Sequence, residues 1–212
     1  MRLTIFGATG GTGRQLVRQA LDAGHEVTAV VRDPARLDIR HQRLDIVRAD
    51  VLDPASIKPA VASGDAVVSA LGARSRRDPV KICSAGTASI LEAMHATGAR
   101  RLVVVSATPV GPDDQGDRFL YRRIAKPLLR SFLRAVYADM ARMEQAVRRS
   151  GLDWTILRPP RLTDRPRTGR YRTAIDRGVP GGYFISRADL ADAILTLLED
   201  RRTFGAAVAI GY

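Results

Sequence analysis

The sequence predicts an α/β protein, a Rossmann-type doubly wound parallel sheet in a single domain that spans residues 1–212. Two observations predict it. Short apolar runs alternate with helical patterns along all 212 residues, and such alternation favours parallel strands joined by helices. A glycine-rich stretch, FGATGGTGR, follows the first apolar run, where doubly wound proteins bind dinucleotides. A small substrate-side region, with a loop and a basic helix, is expected within residues 109–182.

The predicted elements of the N-terminal half each have a local reason. Apolar or β-branched runs predict strands, apolar residues at helical spacing predict helices, and glycines follow two of those helices. The pairs Asp33-Pro34 and Asp53-Pro54 are typical helix starts, with aspartate as the cap and proline in the first turn. In order, the elements are strand Leu3–Phe6, helix Thr12–Ala23, strand Glu26–Val31, strand Ile46–Ala49, a helix from Asp53, strand Ala66–Ser69 and helix Pro79–Thr97.

The C-terminal half continues the alternation. Residues 102–105 are almost continuously apolar, as expected for a strand that is covered on both faces. Residues 158–182 are rich in Pro, Gly and Arg and predict a long functional loop with one or two short strands. In order, the elements are strand Leu102–Val105, loop Pro109–Asp117, helix Phe119–Arg149, strand Trp154–Leu157, this long loop, helix Arg187–Leu198 and strand Ala206–Ile210.

The composition restricts the classes of function. No apolar run approaches the ~20 residues that a membrane span needs, and the N-terminus lacks the plan of a signal peptide, so we expect a cytoplasmic protein. The single cysteine, Cys83, and three scattered histidines show no metal-ligand spacing, so no metal site is predicted. The net charge of +12 is concentrated in residues 118–172, which contain 15 Lys or Arg and 4 Asp or Glu. Such a segment would attract a polyanion or an anionic small molecule.

The three glycines Gly7, Gly10 and Gly13 predict a dinucleotide site. The first would make the tight turn that leaves the strand, the second would let the backbone approach a pyrophosphate, and the third would let the helix pack on the strand. The helix N-terminus would then offer N–H groups and a partial positive charge to the phosphates.

The end of the second strand predicts NADP(H) rather than NAD(H). NAD-binding proteins usually place Asp or Glu there to bind the ribose 2′-hydroxyl. This strand is instead followed by Arg32, with Arg36 one turn further on and Arg14 after the third glycine. Because a planar guanidinium forms charge-assisted hydrogen bonds with phosphate oxygens, these arginines suit the 2′-phosphate of NADP. The opposing interpretation is three solvated surface arginines.

Three later strand ends are candidates for the rest of the cofactor. Asp50 and Val51 follow the third strand, where a carboxylate and an apolar side chain can flank adenine. The stretch ALGA at residues 70–73 follows the fourth and contains Gly72, which permits a close backbone approach. VSAT at residues 105–108 follows the fifth, so Ser106 or Thr108 would offer a hydroxyl to the nicotinamide. Either hydroxyl also fits a simple strand cap.

Five segments, in the same order, resemble those of the atypical short-chain dehydrogenase/reductase group with an NAD(P)H-binding domain, and within it the biliverdin and flavin reductase branch. They cover most of the chain: IFGATGGTGR, VTAVVRDPARL, ADVLD, SGLDWTILRPPRLTD and TGRYRTAIDRGVPGGYFISRADLADAIL. The resemblance implies a Rossmann fold, an NADP(H) cofactor and a set of site residues. Those assigned to the cofactor are Gly7, Thr9, Gly10, Gly11, Thr12, Gly13, Arg14, Arg32, Arg36, Asp50, Val51, Leu71, Gly72, Ser106 and Pro159. Those assigned to the substrate pocket are Thr108, Pro160, Arg161 and Leu162.

The chain departs from typical short-chain dehydrogenases in its acid–base residues. Those enzymes pair a serine with Tyr-x-x-x-Lys, in which the lysine lowers the pKa of the tyrosine. No tyrosine here is followed by lysine at that spacing, and Ser106 is the one candidate catalytic residue. The biliverdin and flavin reductase branch shares this absence, which favours hydride transfer to an electron-poor, conjugated acceptor that the protein mainly positions. We therefore predict an NADPH-dependent reductase of a flavin (FMN or FAD), quinone or bilin, and an anionic or aromatic small molecule as the binding partner.

Other functions are weighed against this one. A non-catalytic NADP(H) sensor of the NmrA type would also lack the Tyr-Lys pair, and would dock on a protein partner through the basic segment Arg118–Arg142. Nucleic-acid binding is not expected, because the sequence contains no helix-turn-helix, zinc finger or aromatic stacking platform. A membrane partner is not expected either, because the amphipathic run Leu120–Val136 fits a helix packed on the sheet.

Overall fold

The computed structural model describes residues 1–72, 82–110 and 134–212. Several predictions lie partly outside these residues: the stretch ALGA at residues 70–73, the start of the helix at Pro79, the loop Pro109–Asp117, the helix Phe119–Arg149, the basic segment Arg118–Arg142 and the amphipathic run Leu120–Val136. In the described part, the chain forms ten strands. They are β1 (Arg2–Phe6), β2 (Glu26–Val31), β3 (Leu44–Arg48), β4 (Ala66–Ser69), β5 (Arg101–Val105), β6 (Asp153–Arg158), β7 (Arg161–Thr163), β8 (Arg172–Ile175), β9 (Phe184–Ser186) and β10 (Ala206–Gly211).

Eight of these strands form one sheet in the order β3-β2-β1-β4-β5-β6-β10-β8. Neighbours run parallel, except that β8 at the edge is antiparallel to β10. The chain moves outward from β1 to β3 and then returns to place β4 on the other side of β1. The predicted doubly wound Rossmann sheet is therefore confirmed, with its reversal of strand order between β1 and β4.

Five helices cover the sheet in the described part, and most begin at a side-chain cap. They are α1 (Gly11–Asp22), α2 (Pro54–Ala62), α3 (Ile82–Thr97), α4 (Arg134–Arg148) and α5 (Arg187–Glu199). Asp53 accepts a hydrogen bond of 3.0 Å from the N–H of Ala55 and caps α2 as predicted. Asp33 caps only a short 3-10 turn, Pro34–Arg36. Asp139 of α4 accepts from the N–H of Cys83 and so caps α3 from another helix.

The two faces of the sheet bury separate apolar clusters, which fixes the orientation of the strands. On β1, Ile5 packs with α1 and α5, whereas the next residue, Phe6, packs with α2, α3 and α4. Successive strand side chains point to opposite faces, so a parallel sheet covered on both sides needs the continuous apolar runs seen in β1 and β5. The core therefore holds the carboxyl ends of the parallel strands together at one edge.

Residues 159–186 connect β6 to α5 and include most of the loop predicted at residues 158–182. This segment contains β7 and β8, which confirms the predicted loop with one or two short strands. A third strand, β9, was not predicted, and it pairs parallel with β7, Arg161 lying opposite Phe184. The small β7–β9 sheet thus lies between the end of β6 and the start of α5.

Candidate functional site

The candidate site lies at the edge of the sheet where the parallel strands end and the strand order reverses. Ligands of open α/β sheets bind in the crevice at such a point. The loops that follow β1, β2, β3, β4, β5 and β6 all meet there, because these strands are parallel. These loops carry most of the residues that the sequence assigned to the cofactor.

The glycine-rich loop between β1 and α1 has the geometry that the three glycines predicted. Gly7 has φ +79°, and a Cβ there would stand 2.5 Å from the carbonyl oxygen of Ala70. A Cβ on Gly13 would stand 2.1 Å from the carbonyl oxygen of Gly7. Gly10 closes the turn through a 3.0 Å hydrogen bond from its N–H to that same oxygen. Side chains at these positions would therefore open the loop.

Among the described residues, no side chain caps the N-terminus of α1. Its N-cap residue is Gly10, and the first turn contains no acidic residue. The free N–H groups and partial positive charge of such a terminus favour an anionic phosphate. A backbone cradle that any Cβ would fill, together with this uncapped helix, fits the pyrophosphate of a dinucleotide.

The three predicted arginines of the 2′-phosphate site differ in their contacts. Arg32 and Arg36 are exposed after β2, and neither guanidinium pairs with another described residue. Arg14, in contrast, is engaged within the protein: its guanidinium pairs with Asp38 and donates to the carbonyl oxygens of Thr9 and Arg36. These contacts join the loop after β2 to the glycine-rich loop, and the assignment of Arg14 to the cofactor stays a prediction.

Two residues predicted to contact the cofactor, Val51 and Leu71, meet at a glycine of α3. A Cβ on Gly86 would stand 2.8 Å from Leu71 Cδ1 and 3.3 Å from Val51 Cγ1, so both side chains pack against this one position. Asp50 is exposed beside them, and its carboxylate accepts from the N–H of Leu52 at 3.0 Å. Gly72 is also exposed. The structure thus places Val51 and Leu71 side by side, as an apolar wall for a flat ring requires.

On the nicotinamide side, Ser106 belongs to a buried polar cluster. Its Oγ donates to Glu144 Oε1 at 2.7 Å, and Ser106 and Glu144 are 3% and 4% exposed. Arg158 binds both carboxylate oxygens, with Nε at 3.0 Å and Nη2 at 2.5 Å. Because a hydroxyl has one proton, Ser106 can only accept a further hydrogen bond in this arrangement. Its predicted catalytic role remains a prediction, and the geometry favours an accepting role.

The loops after β5 and β6 stay paired beyond the ends of the strands. The N–H of Ser106 donates to the carbonyl oxygen of Leu157 at 2.8 Å, and that of Thr108 donates to Pro159 at 2.9 Å. Thr108 Oγ1 also donates to the carbonyl oxygen of Arg158 at 3.1 Å. Thr108 and Pro159, both predicted site residues, therefore form a rigid floor next to Ser106.

The predicted substrate residues lead from this floor into the β7–β9 sheet. Leu162 packs on the core, while Arg161 is exposed and opposite Phe184. The ring of Phe184 is 37% exposed, and the guanidinium carbon of Arg165 lies 5.3 Å from its centroid. Arg161, which follows Pro160, thus pairs in register with Phe184, and Arg165 lies over the ring of Phe184.

The loop after β7 is fastened to α5 by Asp189. This buried carboxylate accepts from the N–H and hydroxyl of Thr168 and the N–H of Gly169, each at 2.8 Å, and from the hydroxyl of Tyr212 at 2.5 Å. Burial raises the pKa of Asp189, but the hydrogen bonds from Tyr212, Gly169 and Thr168 outweigh it and hold the pKa below its usual value.

Sequence reasoning missed three charged residues of this site. Glu144 and Arg158 are distant from Ser106 along the chain, and no local pattern indicates their contact. Arg187 begins α5 and lies against the glycine-rich loop at Gly11. The stretch SRAD, in which Ser186 caps α5 by accepting from the N–H of Asp189, was the one available signal that a helix starts there.

Neither a metal nor a membrane span is indicated in the described part of the chain. No group of three or more His, Cys, Asp or Glu side chains there could hold a metal ion. None of the described helices is long and apolar enough to cross a bilayer.

Comparison with known proteins identifies the family. The model of a family described as NAD(P)H-binding matches residues 7–201. The chain belongs to this NAD(P)H-binding family. The predicted resemblance to atypical short-chain dehydrogenase/reductase proteins is thereby confirmed.

Three proteins illustrate what the chain is similar to, two of them in sequence and one in fold. An uncharacterized protein of Bacillus subtilis, YwnB, is 31% identical over 94% of this chain and 92% of its own. A 3-diazoavenalumate denitrifying reductase of a Streptomyces species is 36% identical over 74% of this chain and 55% of its own. A short-chain dehydrogenase/reductase of Veillonella parvula, solved in complex with NADP, has a TM-score of 0.80 at 20% identity and covers 100% of this chain and 94% of its own.

Proposed function

We propose that this chain is an NADPH-dependent reductase that transfers hydride to a planar, conjugated acceptor such as a flavin, quinone or bilin. The observation that carries the proposal is the Ser106–Glu144 hydrogen bond. It commits the one predicted catalytic hydroxyl at the nicotinamide side to a buried carboxylate. The arrangement fits an acceptor that takes hydride without a proton from the protein.

The preference for NADPH rests on Arg32 and Arg36. Both lie at the end of β2, where the adenine ribose of a bound dinucleotide is placed in this fold. Both are exposed and have no acidic partner among the described residues. A guanidinium that is free to form a fork with phosphate oxygens favours the 2′-phosphate over a hydroxyl.

The residues of the chain position the reactants. NADPH, when bound, would supply the hydride, and the single proton that completes reduction of an acceptor such as a flavin would come from water. Ser106 Oγ is set to accept a hydrogen bond from the cofactor side, and Thr108 and Pro159 form the floor beneath. Such positioning makes the transfer effectively unimolecular.

The choice of acceptor rests on the cluster of Phe184, Arg161 and Arg165. An exposed ring offers a stacking surface for a flat molecule, and two arginines offer charge for a carboxylate or phosphate. Reduction as the reaction class is supported by the reductase relative from Streptomyces. A protein partner for the basic segment Arg118–Arg142 stays a separate proposal.

A regulatory NADP(H) sensor is the second candidate. The same observation favours it, because a site whose hydroxyl is committed to Glu144 binds a dinucleotide whether or not an acceptor follows. Turnover distinguishes the two candidates, since binding alone is common to both.

The test is the oxidation of NADPH at 340 nm by the purified protein with FMN, a quinone or biliverdin as acceptor, and NADH as the control. We expect turnover with NADPH and at least one of these acceptors. Binding of NADP(H) in a titration without any turnover would favour the sensor and overturn the reductase.

The Arg32→Glu variant tests the cofactor preference. Replacing a guanidinium near the 2′-phosphate by a carboxylate adds repulsion, so the Kd for NADPH is expected to rise at least tenfold more than that for NADH. Equal losses for both dinucleotides would show that Arg32 does not contact the 2′-phosphate.

A further inference from the structure

Arg187 lies on the glycine-rich loop, although it comes from the other end of the chain. Its Cδ stands 2.6 Å, and its Nε 2.8 Å, from the point where a Cβ on Gly11 would be. Gly11 is the first residue of α1 after the N-cap Gly10. The stem of Arg187 therefore rests on the helix end that fits the pyrophosphate, and it can do so only because Gly11 lacks a side chain.

A hydrogen bond to Asp164 orients the guanidinium of Arg187. Nη1 donates to Asp164 Oδ1 at 2.6 Å, and the side chains of Arg187 and Asp164 are 30% and 88% exposed. One carboxylate oxygen uses one of the five donors of a guanidinium. No other hydrogen bond from this guanidinium to a described residue is present, so its remaining donors face no competitor within the described chain.

The first turn of α1 adds no negative charge beside Arg187 other than that of Asp164 among the described residues. The first turn of the helix contains no acidic residue and no side-chain cap, so its partial positive charge and the guanidinium of Arg187 act together. An exposed ion pair such as Arg187–Asp164 contributes only about 0–1 kcal/mol. A doubly charged pyrophosphate would therefore share or replace Asp164 at small cost.

We propose that Arg187 binds the pyrophosphate of the dinucleotide from the α5 side, held over Gly11 by Asp164. The inference deepens the proposed function and rests on it for the use of a dinucleotide. It assigns the pyrophosphate a charged side chain in addition to backbone N–H groups. It also joins the loop after β7, which carries the proposed acceptor site, to the cofactor.

The first experiment measures Kd by calorimetry for NADPH, NADH and 2′-AMP with the wild type and Arg187→Ala. The loss of a charge-assisted hydrogen bond is expected to raise the Kd of NADPH and NADH by the same factor, about tenfold or more. The Kd of 2′-AMP, which has no pyrophosphate, should stay within about twofold. The matched control is Arg100→Ala, which removes another exposed arginine paired with an aspartate, Asp153, at the opposite edge of the sheet.

A second variant leaves Arg187 in place and only displaces it. In Gly11→Ala the new methyl group must push the flexible Arg187 stem aside, so the Kd for both dinucleotides should rise severalfold. In the Arg187→Ala background, Gly11→Ala should change the Kd by less than twofold. Circular dichroism and thermal unfolding verify that each variant is folded.

The outcomes separate this inference from the proposed function. Unchanged dinucleotide affinity in Arg187→Ala, an equal loss in Arg100→Ala, or additive effects of Gly11→Ala and Arg187→Ala would each overturn the role of Arg187. Wild-type protein that binds neither NADPH nor NADH would overturn the proposed function. Dinucleotide binding that depends on Arg187 without any turnover would support this inference and overturn the reductase.

Discussion

Glu144 is a buried carboxylate that depends on its partners. It is 4% exposed, and a charge at such depth is tolerated only when it is paired and hydrogen-bonded. Arg158 supplies two hydrogen bonds and Ser106 a third. The cluster connects α4 to the ends of β5 and β6. The carboxylate of Glu144 therefore helps to orient the floor of the site that Thr108 and Pro159 form.

Removing one partner of this buried pair should therefore lower the free energy of unfolding. In Glu144→Leu the guanidinium of Arg158, 12% exposed, loses its counter-charge, and we expect a loss of about 3–5 kcal/mol in the free energy of unfolding. Urea unfolding, followed by the fluorescence of Trp154, measures it. The double variant Glu144→Leu/Arg158→Met should be less destabilised than Glu144→Leu alone. A single-variant loss below about 1 kcal/mol would show that the pair is not effectively buried.

Two glycines of the site form a matched pair for a second test. Gly7 has φ +79° and no room for a Cβ, whereas a Cβ on Gly72 meets nothing within 4 Å. Gly7→Ala should lower the free energy of unfolding by about 1–2 kcal/mol or more, because alanine is strained in the left-handed backbone region. It should also weaken NADPH binding. Gly72→Ala should leave the melting temperature nearly unchanged. Similar melting temperatures for the two variants would contradict the geometry of the turn.

At the scale of elements, α5 is fixed at both ends by specific side chains. Ser186 caps its N-terminus, and Arg101 of β5 reaches its C-terminus. Arg101 is 7% exposed and donates to the carbonyl oxygens of Leu197, Leu198 and Asp153 at 2.6, 2.8 and 2.9 Å. Burial lowers its pKa to about 10. Because α5 carries Arg187 and Asp189, this clamp also positions the site.

The Arg101→Met variant tests the clamp. It retains an apolar stem but leaves three carbonyl oxygens without their donor, and we expect a loss of about 2–4 kcal/mol in the free energy of unfolding. The neighbouring Arg100 is mostly exposed and pairs with Asp153, so Arg100→Met should cost less than about 1 kcal/mol. Chemical denaturation of the two variants in parallel gives the comparison, and equal losses would argue against the clamp.

The comparison of sequence with structure is most informative at this scale. The central strands and the caps at Asp53 and Asp33 were predictable, because apolar runs and local hydrogen bonds are encoded by neighbours in sequence. The β7–β9 pairing and the antiparallel edge strand β8 were not, since each depends on residues far apart in the chain. In the site, the glycines had a local signal, whereas Glu144, Arg158 and Arg187 act across the fold. The pairing of Arg14 with Asp38 likewise had no signal in the sequence.

For the molecule as a whole, acid below about pH 4 should lower the free energy of unfolding. Hydrogen bonds hold the pKa of Asp189 below its usual value, and the pKa values of Asp38, Asp65 and Asp200 are lowered as well. Where the folded pKa lies below the unfolded one, the unfolded chain binds more protons in between. This stability is present above the usual aspartate pKa of about 4 and is lost as the pH falls below it.

Asp189 should account for part of that acid sensitivity. We expect the free energy of unfolding to decrease on going from pH 6 to pH 3, and to decrease less in Asp189→Asn, whose side chain does not titrate. Urea unfolding at several pH values measures the slope. Asp45→Asn, a change at an exposed residue of β3, serves as the control and should keep the wild-type slope. The same slope in Asp189→Asn as in the wild type would show that this carboxylate does not contribute.

The packing of α1 against α5 has a consequence for the order in which the protein assembles. Gln19 of α1 donates to the carbonyl oxygen of Ala188 at 2.9 Å, a contact that joins residues 169 apart in sequence. During synthesis the N-terminal half leaves the ribosome first, and its glycine-rich loop then lacks the helix that covers one side of it. A dinucleotide can therefore stabilise the N-terminal half only weakly on its own. It stabilises the protein fully only after α5 has packed against α1. Added cofactor should accordingly slow unfolding of the finished protein more than it accelerates folding.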